Sequence, residues 1–200
     1  MIRSLLILIL VFTLSACSKP ELLTRLSDGS TVLAFGDSLT AGKGVGTDEA
    51  YPAKLAEIIG MTVVNAGISG ETTKQGLQRL PKELESHSPD LVILFEGGND
   101  ILRGYDLAKT KRNLNAMINL IKQSGAEVVL VAVPPRSLFS AAAGFYTELA
   151  EEHELPLQKS IVSSLLKKSS MKSDSVHFNQ AGYQAVAVAI KKLLEDHGAV

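Results

Sequence analysis

The chain has 200 residues, 46% of them hydrophobic and 20% charged, with a formal net charge of −1. That is enough for one well-cored globular domain, and it lacks the basic footprint expected of a nucleic-acid-binding protein. No internal repeat or low-complexity tract interrupts it.

In chain order the first feature is a leader. Arg3 precedes an apolar run, Leu5 to Leu14, whose length suits a signal peptide and falls short of the ~20 residues of a spanning helix. The run is apolar on every side, which argues against a buried amphipathic helix. The single cysteine, Cys17, has no partner for an internal disulfide. Leu14-Ser15-Ala16-Cys17 resembles a bacterial lipoprotein processing site, where the cysteine is lipidated and becomes the new N-terminus. An ordinary signal peptide with an incidental cysteine is the alternative. Such lipoproteins carry three acyl chains, and each buried CH₂ adds about 0.8 kcal/mol of membrane affinity. Residues 1–16 are thus read as a lipoprotein signal peptide, 17–30 as a tether and 31–200 as the folded domain. The expected location is the bacterial cell envelope, lipid-anchored and facing the periplasm. Ser18, where Asp would favour inner-membrane retention, is compatible with the outer membrane.

Beyond the tether, strands and helices alternate. Thr31–Phe35, Met61–Ala66, Asp90–Glu96 and Ala126–Val133 are short, β-branched apolar runs that suit a parallel sheet covered on both faces. A fifth strand is expected near Leu155–Val162. Between them, Pro52 opens a helix that Gly60 stops. Leu114, Met117, Ile118 and Ile121 form one apolar stripe of a helix ending at Gly125. Pro81 predicts a kink, or two short helices, in the segment from about Thr72. Asn179 is an N-cap for a last helix that buries Tyr183, Val186, Ile190, Leu193 and Leu194. The pattern predicts a three-layer α/β/α sandwich with a mainly parallel five-stranded sheet. Ligands in such sheets bind beyond the carboxyl ends of the strands.

The loop from Gly36 to Gly46 follows the first strand, and a phosphate cradle is one reading of it. A Walker loop needs four residues between its glycines and a hydroxyl after the lysine. Here five residues separate Gly36 from Gly42-Lys43, and Gly44 follows. The dinucleotide fingerprint fails as well, so the glycines read as a tight loop before a helix.

The other reading makes Ser38 a nucleophile, which needs a base, an orienting group and oxyanion donors. His87, His153 and His197 suit solvated or helix-terminal positions. His177 has Asp174 three residues upstream, close enough for a short turn to bring the carboxylate to the imidazole.

Taken together, Gly36-Asp37-Ser38-Leu39, Asn65-Ala66-Gly67-Ile68-Ser69-Gly70, Gly97-Gly98-Asn99-Asp100 and Asp174-Ser175-Val176-His177 resemble the four blocks of the SGNH, or GDSL, hydrolase family. The resemblance runs from about Thr31 onward and implies the family's flavodoxin-like fold. It implies Ser38 as nucleophile, His177 as base and Asp174 as acid, with Ser38, Gly70 and Asn99 as oxyanion donors. It implies no metal and no organic cofactor. Asp37 is expected to brace its loop, Asp100 and Arg103 to be structural or rim residues, and Glu96 has no assigned chemistry.

The stretches ISGETTKQGLQRLP and GGNDILRG look closest to the thioesterase I, arylesterase and lysophospholipase branch. The expected activity is therefore acyl-ester hydrolysis through an acyl-enzyme, with acyl esters or lysophospholipids as substrates and a membrane surface as partner. A cell-envelope carbohydrate O-acetylesterase is the enzymatic alternative, and a non-catalytic lipid- or carbohydrate-binding lipoprotein the other. Two departures stand out: Phe178 follows the histidine where Pro is usual, and the segment after Val133 differs from the family's loop there.

Overall fold

The computed structural model describes residues 23–135 and 143–200. Cys17 and the leader lie outside them, as do residues 136–142 of the unusual segment after Val133.

Five strands form one sheet: β1 (Thr31–Gly36), β2 (Thr62–Gly67), β3 (Leu91–Phe95), β4 (Glu127–Val131) and β5 (Leu157–Gln158). Their order is β2-β1-β3-β4-β5, and every pairing is parallel. Among the described residues, eight α-helices accompany them: α1 (Ser38–Ala41), α2 (Tyr51–Ile59), α3 (Thr73–His87), α4 (Gly98–Leu102), α5 (Leu107–Gln123), α6 (Gly144–His153), α7 (Ile161–Leu166) and α8 (Gln180–Asp196). α2 packs with α8 on one side of the sheet and α3 with α5 on the other, which gives the expected three layers.

The strands follow the apolar runs. β3 is buried at every position, and Val32, Leu33, Ala34 and Phe35 of β1 are fully enclosed. β2 differs from the expectation of two covered faces: as an edge strand it leaves Thr62 and Asn65 exposed. The fifth strand is shorter than expected. It ends at Gln158 because that side chain turns back to accept the N–H groups of Ser160 and Ile161, opening α7.

Of the two alternatives expected at Pro81, a kink or two short helices, the second is not met, since α3 runs unbroken through it. An interior proline costs roughly 3 kcal/mol. Burial of Leu80 and Leu84 contributes about 1.5–3 kcal/mol each, and the Thr72–Gln75 capping box fixes the first turn. Packing therefore outweighs the lost hydrogen bond, with the proline exposed.

The stripe of α5 is fully enclosed as expected. Asn179 caps α8 by accepting the Gly182 N–H at 3.0 Å, while Leu193 is half-buried rather than buried. Leu23, Thr24 and Leu26, in the segment read from sequence as a tether, are docked on the domain. Leu23 and Leu26 donate their N–H groups to the carbonyls of His197 and Ala199, and Glu127 accepts from Thr24.

The connections after β1 and β3 leave the sheet in opposite directions, since β1 leads to β2 and β3 to β4. That topological switch point is where open α/β sheets bind ligands.

Candidate active site

Ser38 starts α1 immediately beyond β1. Asp37 precedes it as N-cap: Oδ1 accepts the Leu39 N–H at 3.0 Å, so the aspartate braces the loop as expected. Burial pushes its carboxyl up to about 6, against the Leu39 hydrogen bond and nearby His177, which lower it. Gly44 lets the loop close. It has φ +101°, and a Cβ there would lie 2.2 Å from Ser173 Oγ, on the turn that carries the histidine.

That turn is built by Asp174. Its Oδ1 accepts the N–H groups of Val176 (2.9 Å) and His177 (2.8 Å), while Oδ2 meets His177 Nδ1 at 2.7 Å. The three-residue spacing makes one carboxylate both the brace of the turn and the partner of the imidazole. Those hydrogen bonds, the imidazole's first, hold Asp174 down to about 2. His177 Nε2 lies 3.0 Å from Ser38 Oγ, completing a chain from carboxylate to hydroxyl.

Phe178, in place of the family's proline, anchors the other side of the turn. It is fully buried, packs edge-on against Tyr183 at 5.6 Å between ring centroids, and bridges to Lys172. The Tyr183 hydroxyl donates to the Lys43 carbonyl at 2.8 Å, tying the serine loop to α8. Sequence periodicity marks Tyr183 as core but says nothing of this hydroxyl.

Asn99 lies on α4, beyond β3. Its Nδ2 donates to the Glu71 carbonyl at 2.8 Å and reaches Asp37 Oδ2 at 3.4 Å. Gly70 precedes Glu71, and its carbonyl accepts from Arg103 at 2.9 Å. Asp100 is buried and accepts from the Thr73 N–H and hydroxyl at 2.8 and 2.7 Å, a structural role; Arg103 latches the Gly70 loop. Glu71 is a functional neighbour that sequence reasoning missed, because a partner 28 residues away leaves no local pattern.

The remaining histidines sit at helix ends with other partners. His87 faces Glu83, His153 meets Asn115, and His197 meets the Leu193 carbonyl. Among the described residues no group of three His, Cys, Asp or Glu side chains could hold a metal ion.

A cavity of about 110 Å³ opens beside Ser38, Asn99 and His177, and Leu39, Ile101, Leu102, Val133, Val162 and Leu166 give it apolar walls. A broader polar basin of about 660 Å³ lies beyond Arg103, with Lys74, Lys109 and Tyr105 on its margin. No helix of the described residues is long and apolar enough to cross a membrane.

Residues 34–185 match the model of the GDSL-like Lipase/Acylhydrolase family. The chain belongs to that family. Among GDSL-like relatives it is 35% identical to an arylesterase of Vibrio mimicus, over 98% of this chain and 100% of that protein. It is also 35% identical to thioesterase 1/protease 1/lysophospholipase L1 of Escherichia coli K12, over 86% of each. The psychrotrophic esterase EstA from Pseudoalteromonas superposes with a TM-score of 0.74 at 27% identity, covering 83% of this chain and 99% of that one. The chain is accordingly a GDSL-type carboxylic ester hydrolase.

Proposed function

We propose that this hydrolase works through Ser38, His177 and Asp174 as nucleophile, base and orienting acid. The observation that carries the reading is the unbroken hydrogen-bond chain Asp174–His177–Ser38, at 2.7 and 3.0 Å. His177 takes the hydroxyl proton through Nε2 as Ser38 Oγ attacks the acyl carbon. The oxyanion is met by the N–H groups of Ser38 and Gly70 and by the Asn99 amide. One Asn99 hydrogen stays on Glu71, while the long 3.4 Å contact to Asp37 is exchanged for the oxyanion. His177 then protonates the leaving alcohol and activates the water that releases the acid, while Asp174 stabilises the imidazolium.

The acyl group occupies the apolar cavity, and the leaving group faces the basin. Among the described ion pairs, Lys74, Arg103 and Lys109 have no carboxylate partner. These three cations outnumber Asp100 and Asp106, which also line the basin, so it suits a phosphate-bearing alcohol and favours lysophospholipids among the substrates. The small cavity favours short acyl groups, and it keeps carbohydrate O-deacetylation as the second reading. A profile of kcat/KM against acyl length separates them: a steep preference for acetyl supports the carbohydrate enzyme, and a flat or rising profile the lipid reading.

Lipidation at Cys17 would hold the domain on the periplasmic side of an envelope membrane, facing lysophospholipids rather than cytoplasmic thioesters. Incorporation of labelled fatty acid that disappears in Cys17→Ser is the expected result; equal labelling of both chains would overturn the anchor.

A further inference from the structure

Glu96 follows β3 and is wholly buried. Its Oε2 accepts the Gly97 N–H at 3.1 Å, whereas Oε1 is buried and meets no donor among the described residues. The carboxyl of Glu71 lies in the same pocket. Both groups border Gly76 of α3, where a Cβ would lie 3.5 Å from Glu71 Oε2 and from Glu96 Oε1.

Two ionised carboxylates in so dry a space repel each other, and a single proton converts the contact into a charge-assisted hydrogen bond. Arg79 decides which partner carries the proton. Its guanidinium donates to the Glu71 carboxylate through Nε at 2.9 Å and Nη2 at 2.5 Å, whereas Glu96 has no partner among the described ion pairs. The proton falls to Glu96.

We infer that neutral Glu96 donates from Oε1 to the Glu71 carboxylate, and so acts as a positioning residue for ester hydrolysis. It acts through Glu71, whose backbone carbonyl holds the Asn99 amide and whose neighbour is Gly70. The role rests on the reading of Asn99 and Gly70 as oxyanion donors. The groups facing Glu96 come from several elements. Asp37 approaches from the β1 loop, Glu71 from the loop after β2, Arg79 from the body of α3, and the Tyr146 hydroxyl of α6 donates to the Glu96 carbonyl at 2.6 Å. Burial first, and then the Asp37 and Glu71 carboxylates, push Glu96 well above the usual carboxylate range, in keeping with the geometry.

The test compares full-length chains. Glu96→Gln can donate its amide to Glu71 and still accept from Gly97, so kcat should stay within about threefold of wild type. Glu96→Leu fills the volume without donating, and kcat should fall by about 10- to 100-fold through displaced donors, with KM for a small aryl ester little changed. At neutral pH, the infrared difference spectrum of wild type minus Glu96→Gln should contain the carbonyl band of a protonated carboxyl group. Equal kcat in the Gln and Leu variants, or absence of that band, would overturn the inference. Asn99→Ala at the wild-type rate would instead overturn the oxyanion reading, and the band would survive it.

Discussion

At the scale of single residues, Asn99 is the side chain whose partners define its task. Its amide is held by the Glu71 carbonyl at 2.8 Å, while the contact with Asp37 is long. Asn99→Ala should lower kcat by about 10² to 10³, the cost of one oxyanion donor, with little change in KM. Steady-state kinetics on a soluble aryl ester check this; an unchanged kcat in a folded variant would remove Asn99 from the oxyanion hole. The contrast between Asp174 and Glu71 marks how far residues can be read without coordinates. Asp174 was legible because it lies three residues before His177, within reach of a short turn, and because the other three motif blocks accompany the pair. Glu71 was not, since its carboxyl answers Arg79 and its carbonyl answers Asn99, contacts that only the folded chain makes.

At the scale of elements, the turn between the short 3₁₀ segment Ser169–Met171 and α8 depends on Phe178. Its ring is enclosed against Tyr183, its backbone bridges to Lys172, and the flanking residue His177 accepts the Ser173 N–H at 3.0 Å. Phe178→Ala should cost about 3–5 kcal/mol in stability. It should also lower kcat more than the conservative Phe178→Leu, because the histidine turn loses its anchor. Urea unfolding with an unchanged slope measures the first, and kinetics below the melting range the second. Wild-type stability in Phe178→Ala would contradict the burial argument, and equal kcat in the Ala and Leu variants would show that the ring only fills space. Elements with strong apolar periodicity, such as β3 and α5, were legible from sequence. The passage of α3 through Pro81 was not, because it is decided by leucines packing against the sheet rather than by local propensity.

At the scale of the molecule, the carboxyl ends of β1, β2 and β3 lead into four buried acidic residues, Asp37, Glu71, Glu96 and Asp100. The alternation of strands and helices predicted this sheet, and it pointed to the loops that carry the site. It could not predict that these four acidic side chains would be buried. Asp37 has a folded value of about 6 against an ordinary 3.8, raised chiefly by burial. The folded state therefore holds this proton more tightly than the unfolded chain. Its stabilising contribution is complete below about pH 4 and is lost as pH rises through about 6, a change of about 3 kcal/mol. Glu96 is shifted in the same direction, so wild-type stability should fall with pH over this window. Asp37→Asn should flatten that fall, as read from melting temperatures between pH 4 and 7; parallel curves for the two proteins would contradict it. The central claim is that Ser38 is the attacking group, and the most direct measurement is covalent labelling. A fluorophosphonate should modify wild type stoichiometrically, with peptide mass mapping placing the adduct on Ser38, and Ser38→Ala should neither label nor turn over ester. Wild-type turnover by folded Ser38→Ala, or an adduct on a different serine, would contradict the account.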